Sequence, residues 1–113
     1  MKMTKEIKIG GVPVLFTGNA ATTYRYKQIF KRDLLKTFME RGDDMDLDMI
    51  TELAFIMKCQ AEGYDSAKFN STTFENYVDW LNTMDFMALM GAAPEILSVW
   101  ADTSKTAVKA KKK

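Results

Sequence analysis

The stretch that decides the fold is DLDMITELAFIMKCQAEGY, residues 46–64. At helical spacing it forms one broad apolar face, made of Met49, Ile50, Leu53, Ala54, Ile56, Met57 and Ala61. Asp46 and Asp48 place negative charge where a helix N-terminus favours it, and Gly63 suits a C-terminal cap. Because so wide a face needs neighbours on several sides, the stretch predicts a central helix around which the other elements pack.

Upstream of this helix, two β-prone runs flank a pair of glycines. Residues 6–9 alternate polar and apolar side chains, Gly10-Gly11 follows, and residues 12–16 read VPVLF. This pattern predicts a β-hairpin. Pro13 cannot donate to a strand ladder, so it should lie at an edge or at the start of the second strand. Since an isolated hairpin is marginal in water, its apolar side should pack on the helices.

The next predicted element is a first helix from Asn19 to Arg41, with Asn19 as its N-cap. Its polar face is basic and comprises Arg25, Lys27, Lys31, Arg32 and Lys36. Such a face has two interpretations: a surface for nucleic acid, or a solvated face that pairs with nearby acids. A small nucleic-acid-binding regulator that uses this face is therefore the alternative function, although the second interpretation is favoured and nucleic acid is not the expected partner.

Downstream of the central helix, residues 63–71 have the composition of a loop. Thr72 and Glu75 have the spacing of a capping box, which predicts a third helix that ends at Leu81. Residues 82–85 should form a break or joint.

The last part of the chain begins with a short, densely apolar segment, residues 86–90. Gly91-Ala92-Ala93-Pro94 is expected to end or kink it, because proline lacks the N–H that a helix interior needs. Pro94 suits the first turn of a last helix that runs to Trp100. In total the pattern predicts a mainly α domain of four to five helices with a short N-terminal β-hairpin.

Length and composition indicate one small globular domain. The chain has 113 residues, of which 47% are hydrophobic. The single cysteine, Cys59, excludes an internal disulfide, and it is expected to be a packed residue in a reducing compartment. The N-terminus lacks the apolar core of a signal peptide, and no window resembles a membrane span. We therefore expect a cytoplasmic protein without membrane contact.

Charge is distributed unevenly along the chain. Residues 105–113 read KTAVKAKKK and carry five lysines and no acid, whereas the remainder has 11 basic and 15 acidic residues. The sequence thus predicts a single α-rich domain over residues 1–104 and a disordered basic tail over residues 105–113.

The residue types that usually carry catalysis are scarce. The chain has no histidine, and one cysteine cannot form a thiolate cluster. The aspartates between residues 43 and 48 lack the glycine and glutamate spacing of a calcium loop. We therefore expect a protein that is not an enzyme and that needs neither cofactor nor metal.

Methionine is unusually frequent, with nine residues, and Met84, Met87 and Met90 lie three apart beside Phe86. Methionines fill irregular cores, and they also line adaptable binding surfaces. The late part of the chain has more large apolar groups than a small interior needs. The predicted protein-binding and self-association surface comprises Met84, Phe86, Met87, Met90, Leu97 and Trp100.

The hairpin, the basic helix, the acid-capped central helix and the segment FENYVDWLNTMDFMALMGAAPEILSVW, residues 74–100, resemble one family over residues 5–102. This family is the tail assembly chaperones of long-tailed bacteriophages, especially of phages and prophages of Gram-positive hosts. The resemblance implies a helical, non-catalytic protein of the host cytoplasm. Several copies would bind the tape measure protein, keep it soluble and help tail tube subunits assemble around it.

Members of this family are often made in two forms, the longer through a ribosomal frameshift near the end of the short gene. The sequence permits this, because residues 111–113 are three lysines with A-rich codons that would mark the slip site. The longer form would then recruit the tail tube protein. The alternative is a solubilising tail with no coding significance.

Overall fold

The computed structural model describes the backbone of residues 3–111, and the side chains of that range apart from Met3, Asp43 and those from residue 103 onward. In chain order the elements are β1 (Met3–Ile9), β2 (Val12–Gly18), α1 (Ala21–Phe30), α2 (Leu34–Arg41), α3 (Leu47–Ala61), α4 (Ser66–Asn70), α5 (Phe74–Leu81) and α6 (Phe86–Lys111). A 3₁₀ turn, Gly42–Asp44, connects α2 to α3. The mainly α class with an N-terminal hairpin is confirmed, and the described residues contain six α-helices rather than four to five.

Helix α3 is the centre of the fold, as predicted. Ten of its fifteen residues are buried, and it packs against β2, α1, α5 and α6. Fully burying one side chain such as Leu53 contributes about 1.5–3 kcal/mol, so this helix supplies much of the driving force for folding. Asp46 occupies the N-cap position, and Gly63 beyond the C-terminus has a φ of 85°. That backbone conformation favours glycine.

The N-terminal strands form the predicted hairpin. Gly10 and Gly11 have φ values of 61° and 84°, the conformation of a type I′ turn, which glycine adopts without strain. The strands pair antiparallel. Ile7, Ile9 and Phe16 are buried against α3 and α6, which confirms that the hairpin is stabilised by packing on the helices.

Pro13 fits this hairpin because of the register. Val12 pairs with Ile9 across the turn, and Pro13 pairs with Lys8. A type I′ turn closes with a hydrogen bond between its flanking residues, so the Ile9–Val12 pair is hydrogen-bonded and the next pair is not. The backbone nitrogen of Pro13 therefore faces away from β1, so the β1–β2 ladder loses no hydrogen bond.

The single long first helix predicted from the sequence is wrong, because the chain turns between α1 and α2. Lys31 adopts the left-handed conformation, with a φ of 60°, and donates its N–H to the Lys27 carbonyl at 3.0 Å. Asp33 then caps α2 by accepting from the Lys36 N–H at 2.9 Å. The turn allows Leu34 to be fully buried, so tertiary packing outweighs the local helical pattern.

Two helix caps lie one residue away from their predicted positions. Asn19 Oδ1 accepts from the Ala21 N–H at 2.8 Å, but Ala20 occupies the N-cap position of α1. At α5 the N-cap is Thr73, whose N–H donates to Asn76 Oδ1 at 2.7 Å. Both helices therefore begin within one residue of the positions that the sequence indicates.

Helix α6 runs without interruption through Pro94, so the break predicted at Gly91 to Pro94 is wrong, while a kink there stays a prediction. Ala92, Ala93 and Ile96 are buried on the core side of this helix. Their packing holds the helix together across the proline, while Pro94 itself lies on the exposed side. The predicted joint at residues 82–85 does separate α5 from α6.

Replacing Pro94 with alanine is expected to raise the free energy of unfolding by about 2 kcal/mol, because alanine restores the N–H that the Met90 carbonyl lacks. Urea unfolding of both proteins measures this change. Ser98→Ala, another exposed position of α6, is the matched control and should change stability by less than about 0.5 kcal/mol. A lower stability for Pro94→Ala would contradict the prediction.

The helical backbone of α6 extends through Lys111. For the predicted basic tail, residues 105–113, the side chains lie outside the described residues. At residues 112 and 113 the backbone also lies outside them. The domain boundary at residue 104 therefore stays a prediction. Among the described helices, none is long and apolar enough to cross a membrane.

Candidate functional site

A groove of about 640 Å³ lies between β2, the end of α3 and the joint between α5 and α6. Its apolar lining includes Val12, Pro13, Val14, Leu15, Trp80 and Met84. Because residues 12–15 are consecutive, the groove follows the first half of β2. The rim adds the ion pair of Lys58 and Glu62, whose atoms are 2.8 Å apart, and the carboxylate of Asp85.

The groove exposes large aliphatic groups at its mouth. Val12 is 61% exposed and Leu15 is 49% exposed, whereas Trp80 is half-buried, with its ring 6.0 Å from that of Phe55. Apolar groups that remain in water beside a concave, largely apolar surface are typical of a binding site.

The second apolar feature is the outer surface of helix α6, which we name the α6 face. It comprises Phe86, Met87, Met90, Gly91, Pro94 and Ser98, all exposed and none charged. At its side, Glu95 forms an ion pair with Lys5 at 3.3 Å. The outward side of a surface helix usually carries charged residues, so an uncharged line over three turns indicates a contact surface.

The predicted binding surface divides into two groups in the structure. Phe86, Met87 and Met90 are exposed on the α6 face, and Met84 is half-buried in the groove lining. These four residues remain candidates for partner contact.

Leu97 and Trp100 are core residues, which corrects their assignment to that surface. They are 4% and 1% exposed. The Trp100 ring packs edge-to-face on Phe38 with centroids 5.0 Å apart, and its Nε1–H donates to Thr23 Oγ1 at 3.3 Å. Because α6 is continuous, its 3.6-residue period turns both side chains toward the core.

The basic residues of the first helical region lie on two helices and the turn between them rather than on one helix. Arg25 donates to Ser66 Oγ at 2.8 Å, and its guanidinium lies 4.8 Å from the Phe69 ring centroid. Arg32 contacts the Glu52 carboxylate at 3.7 Å. The turn between α1 and α2 places Lys36 on a separate helix. No single basic stripe thus supports the alternative of nucleic-acid binding.

A buried polar cluster lies around Glu52, and no sequence pattern had indicated it. This residue of α3 is 4% exposed, and its carboxylate accepts a hydrogen bond from the Tyr26 hydroxyl at 2.5 Å. Burial raises the pKa of Glu52, and burial together with Glu52 raises the pKa of Tyr26. The position of Glu52 could have indicated its burial, since it lies three residues after Met49 and four before Ile56, within the apolar stripe.

Cys59 is fully buried, and burial raises the pKa of its thiol to about 11. The thiol is therefore protonated at neutral pH and packs as a small apolar group, as the sequence predicted. Within the described part of the chain, no group of three or more histidine, cysteine or carboxylate side chains could hold a metal ion.

No protein-family model, curated protein or solved structure matches the chain. The resemblance described above thus depends on the residues quoted for it.

Proposed function

We propose that the protein is a non-catalytic tail assembly chaperone of a long-tailed phage or prophage, which binds the tape measure protein in the host cytoplasm. The observation that carries this proposal is the apolar groove with Val12 and Leu15 exposed at its mouth. The resemblance over residues 5–102 supplies the family. Several copies would bind along one tape measure protein, and a longer frameshifted form would recruit the tail tube protein.

The groove suits one side of an amphipathic helix. Such a helix presents apolar residues at positions i, i+3, i+4 and i+7, which can pack between β2 and the α5–α6 joint. Met84 has a flexible side chain that adapts to different partners, and Trp80 adds a large apolar surface. A surface of this kind can cover many similar helical turns of one long protein rather than a single unique sequence.

The test is co-expression with the tape measure protein of the same phage or prophage, with the soluble fraction of the tape measure protein as the measurement. We expect the wild type to raise that fraction, and Val12→Asp and Leu15→Asp to remove most of the gain. A charge at the mouth of the groove would be desolvated by the bound helix. Both positions are exposed, so the variants should fold.

Met39→Asp is the matched control, because Met39 is equally apolar and 78% exposed but lies on α2, outside the groove. It should act as the wild type does. The proposal fails if the wild type leaves the soluble fraction unchanged, or if Met39→Asp loses as much as the groove variants.

A further inference from the structure

The α6 face is divided into a half with large side chains and a half with small ones. Phe86, Met87 and Met90 project from its first half, and Gly91, Pro94 and Ser98 form its second half. A Cβ added at Gly91 would meet nothing within 4 Å, so the space above it is open. In a helix interior glycine costs about 1 kcal/mol and proline about 3 kcal/mol relative to alanine, so helix stability does not account for these residues.

We propose that the α6 face is a contact between two copies of this chain, which pack antiparallel about a two-fold axis beside Gly91. An antiparallel arrangement places the large half of each copy on the small half of the other. A parallel one would place large on large and leave a gap over the small residues. The proposal goes beyond the groove-based function and does not depend on it.

The spacing of the residues agrees with one position of this axis. In packed helices a side chain enters a hole made by residues i, i+3, i+4 and i+7 of the facing helix. Gly91, Pro94, Glu95 and Ser98 form such a hole, and Met87 of the second copy would enter it. Met90 would enter the hole made by Met87, Met90, Gly91 and Pro94. Both insertions place the axis between positions 90 and 91.

The charges allow this packing. The α6 face has no charged residue to bury, and Glu95, which lines one hole from the side of this face, is paired with Lys5 at 3.3 Å. In the antiparallel arrangement Glu95 lies opposite Phe86 and Met87 of the second copy, so no like charges meet. The face is smaller than the roughly 20–30 residues per partner of a standard interface, so the dimer should be weak and reversible, with a dissociation constant on the order of micromolar.

Sedimentation equilibrium of the purified chain, between about 5 and about 500 μM, tests the proposal. We expect the wild type to shift from monomer to dimer over this range. Gly91→Glu should weaken the dimer at least about tenfold, since the two new carboxylates would face each other across the axis. Gly91→Lys should do the same. Each monomer should keep or raise its Tm, because glutamate and lysine favour helix more than glycine does.

An equimolar mixture of Gly91→Glu and Gly91→Lys is the decisive sample. Only a two-fold contact at this position brings the opposite charges together, so the mixture should recover association at least to the wild-type level. Met39→Glu on α2 is the control and should dimerise as the wild type does.

A wild type that stays monomeric throughout would overturn the proposal and assign the α6 face to a different partner. Undiminished dimerisation of Gly91→Glu, or a mixture that does not recover, would equally overturn it. The tape measure protein is absent from these samples, so the outcome is separate from that of the chaperone proposal.

Discussion

Replacing Trp100 with alanine is expected to lower the free energy of unfolding by about 3–5 kcal/mol. Trp100 is among the largest fully buried side chains, and its removal leaves a cavity between α6, α1 and α2. Phe38 would lose its edge-to-face partner, and the Thr23 hydroxyl would lose its donor. Small domains have only about 5–15 kcal/mol of net stability, so the variant should be near the limit of folding.

Urea unfolding followed by far-UV circular dichroism measures this loss, at a concentration low enough to keep the chain monomeric. Met87→Ala is the matched control on the same helix. Its side chain is 69% exposed, so the change should be below about 0.5 kcal/mol. Similar small losses for both variants would mean that the core and outer sides of α6 are assigned incorrectly.

The second large effect is expected at Glu52. Replacing it with alanine should cost about 3–5 kcal/mol, because the substitution removes one partner from a buried, hydrogen-bonded cluster. The Tyr26 hydroxyl would be left buried without its acceptor, and Arg32 would lose its carboxylate. Glu52→Gln keeps an acceptor for Tyr26 and removes only the charge, so its stability at pH 7 should stay within about 1 kcal/mol of the wild type.

The difference in stability between the wild type and Glu52→Gln should change with pH in a definite direction. Burial raises the pKa of Glu52 above its ordinary value of 4.5, so the folded state binds this proton more tightly than the unfolded state does. The contribution of Glu52 is therefore most favourable at low pH, and it declines as the pH rises from 4.5 through the folded-state pKa. Glutamine does not titrate, so the wild type should lose stability relative to Glu52→Gln over this window. A difference that is independent of pH between 4 and 8 would contradict the assignment.

Local patterns determined what the sequence could predict. The apolar stripe of α3 and the glycine pair of the hairpin are each encoded within a few residues, and both elements are confirmed. The turn at Lys31 and the continuity of α6 through Pro94 are not local, because each depends on burial against distant elements. Asp33 was a usable sign of the turn, since aspartate is a favoured N-cap.

The candidate site was predicted only in part for the same reason. Phe86, Met87 and Met90, which the sequence assigns to a binding surface, are exposed. Leu97 and Trp100 could be assigned to the core only from a continuous α6, because continuity fixes which side of the helix faces inward. The predicted break at Gly91 removed that information. The cluster at Glu52 involves Tyr26, 26 positions away in the sequence, so no local pattern could pair them.

The outward-facing proline of β2 bears on which partners the groove admits. An exposed strand edge beside apolar groups invites strands of other chains to join it, which is how intermolecular sheets and fibrils begin. Pro13 interrupts that edge between Val12 and Leu15, where an arriving strand would otherwise gain a hydrogen bond. A helix satisfies its own backbone and loses nothing there. At Pro13 the groove therefore offers less to an added strand than to a helix, and the same proline disfavours aggregation through the hairpin.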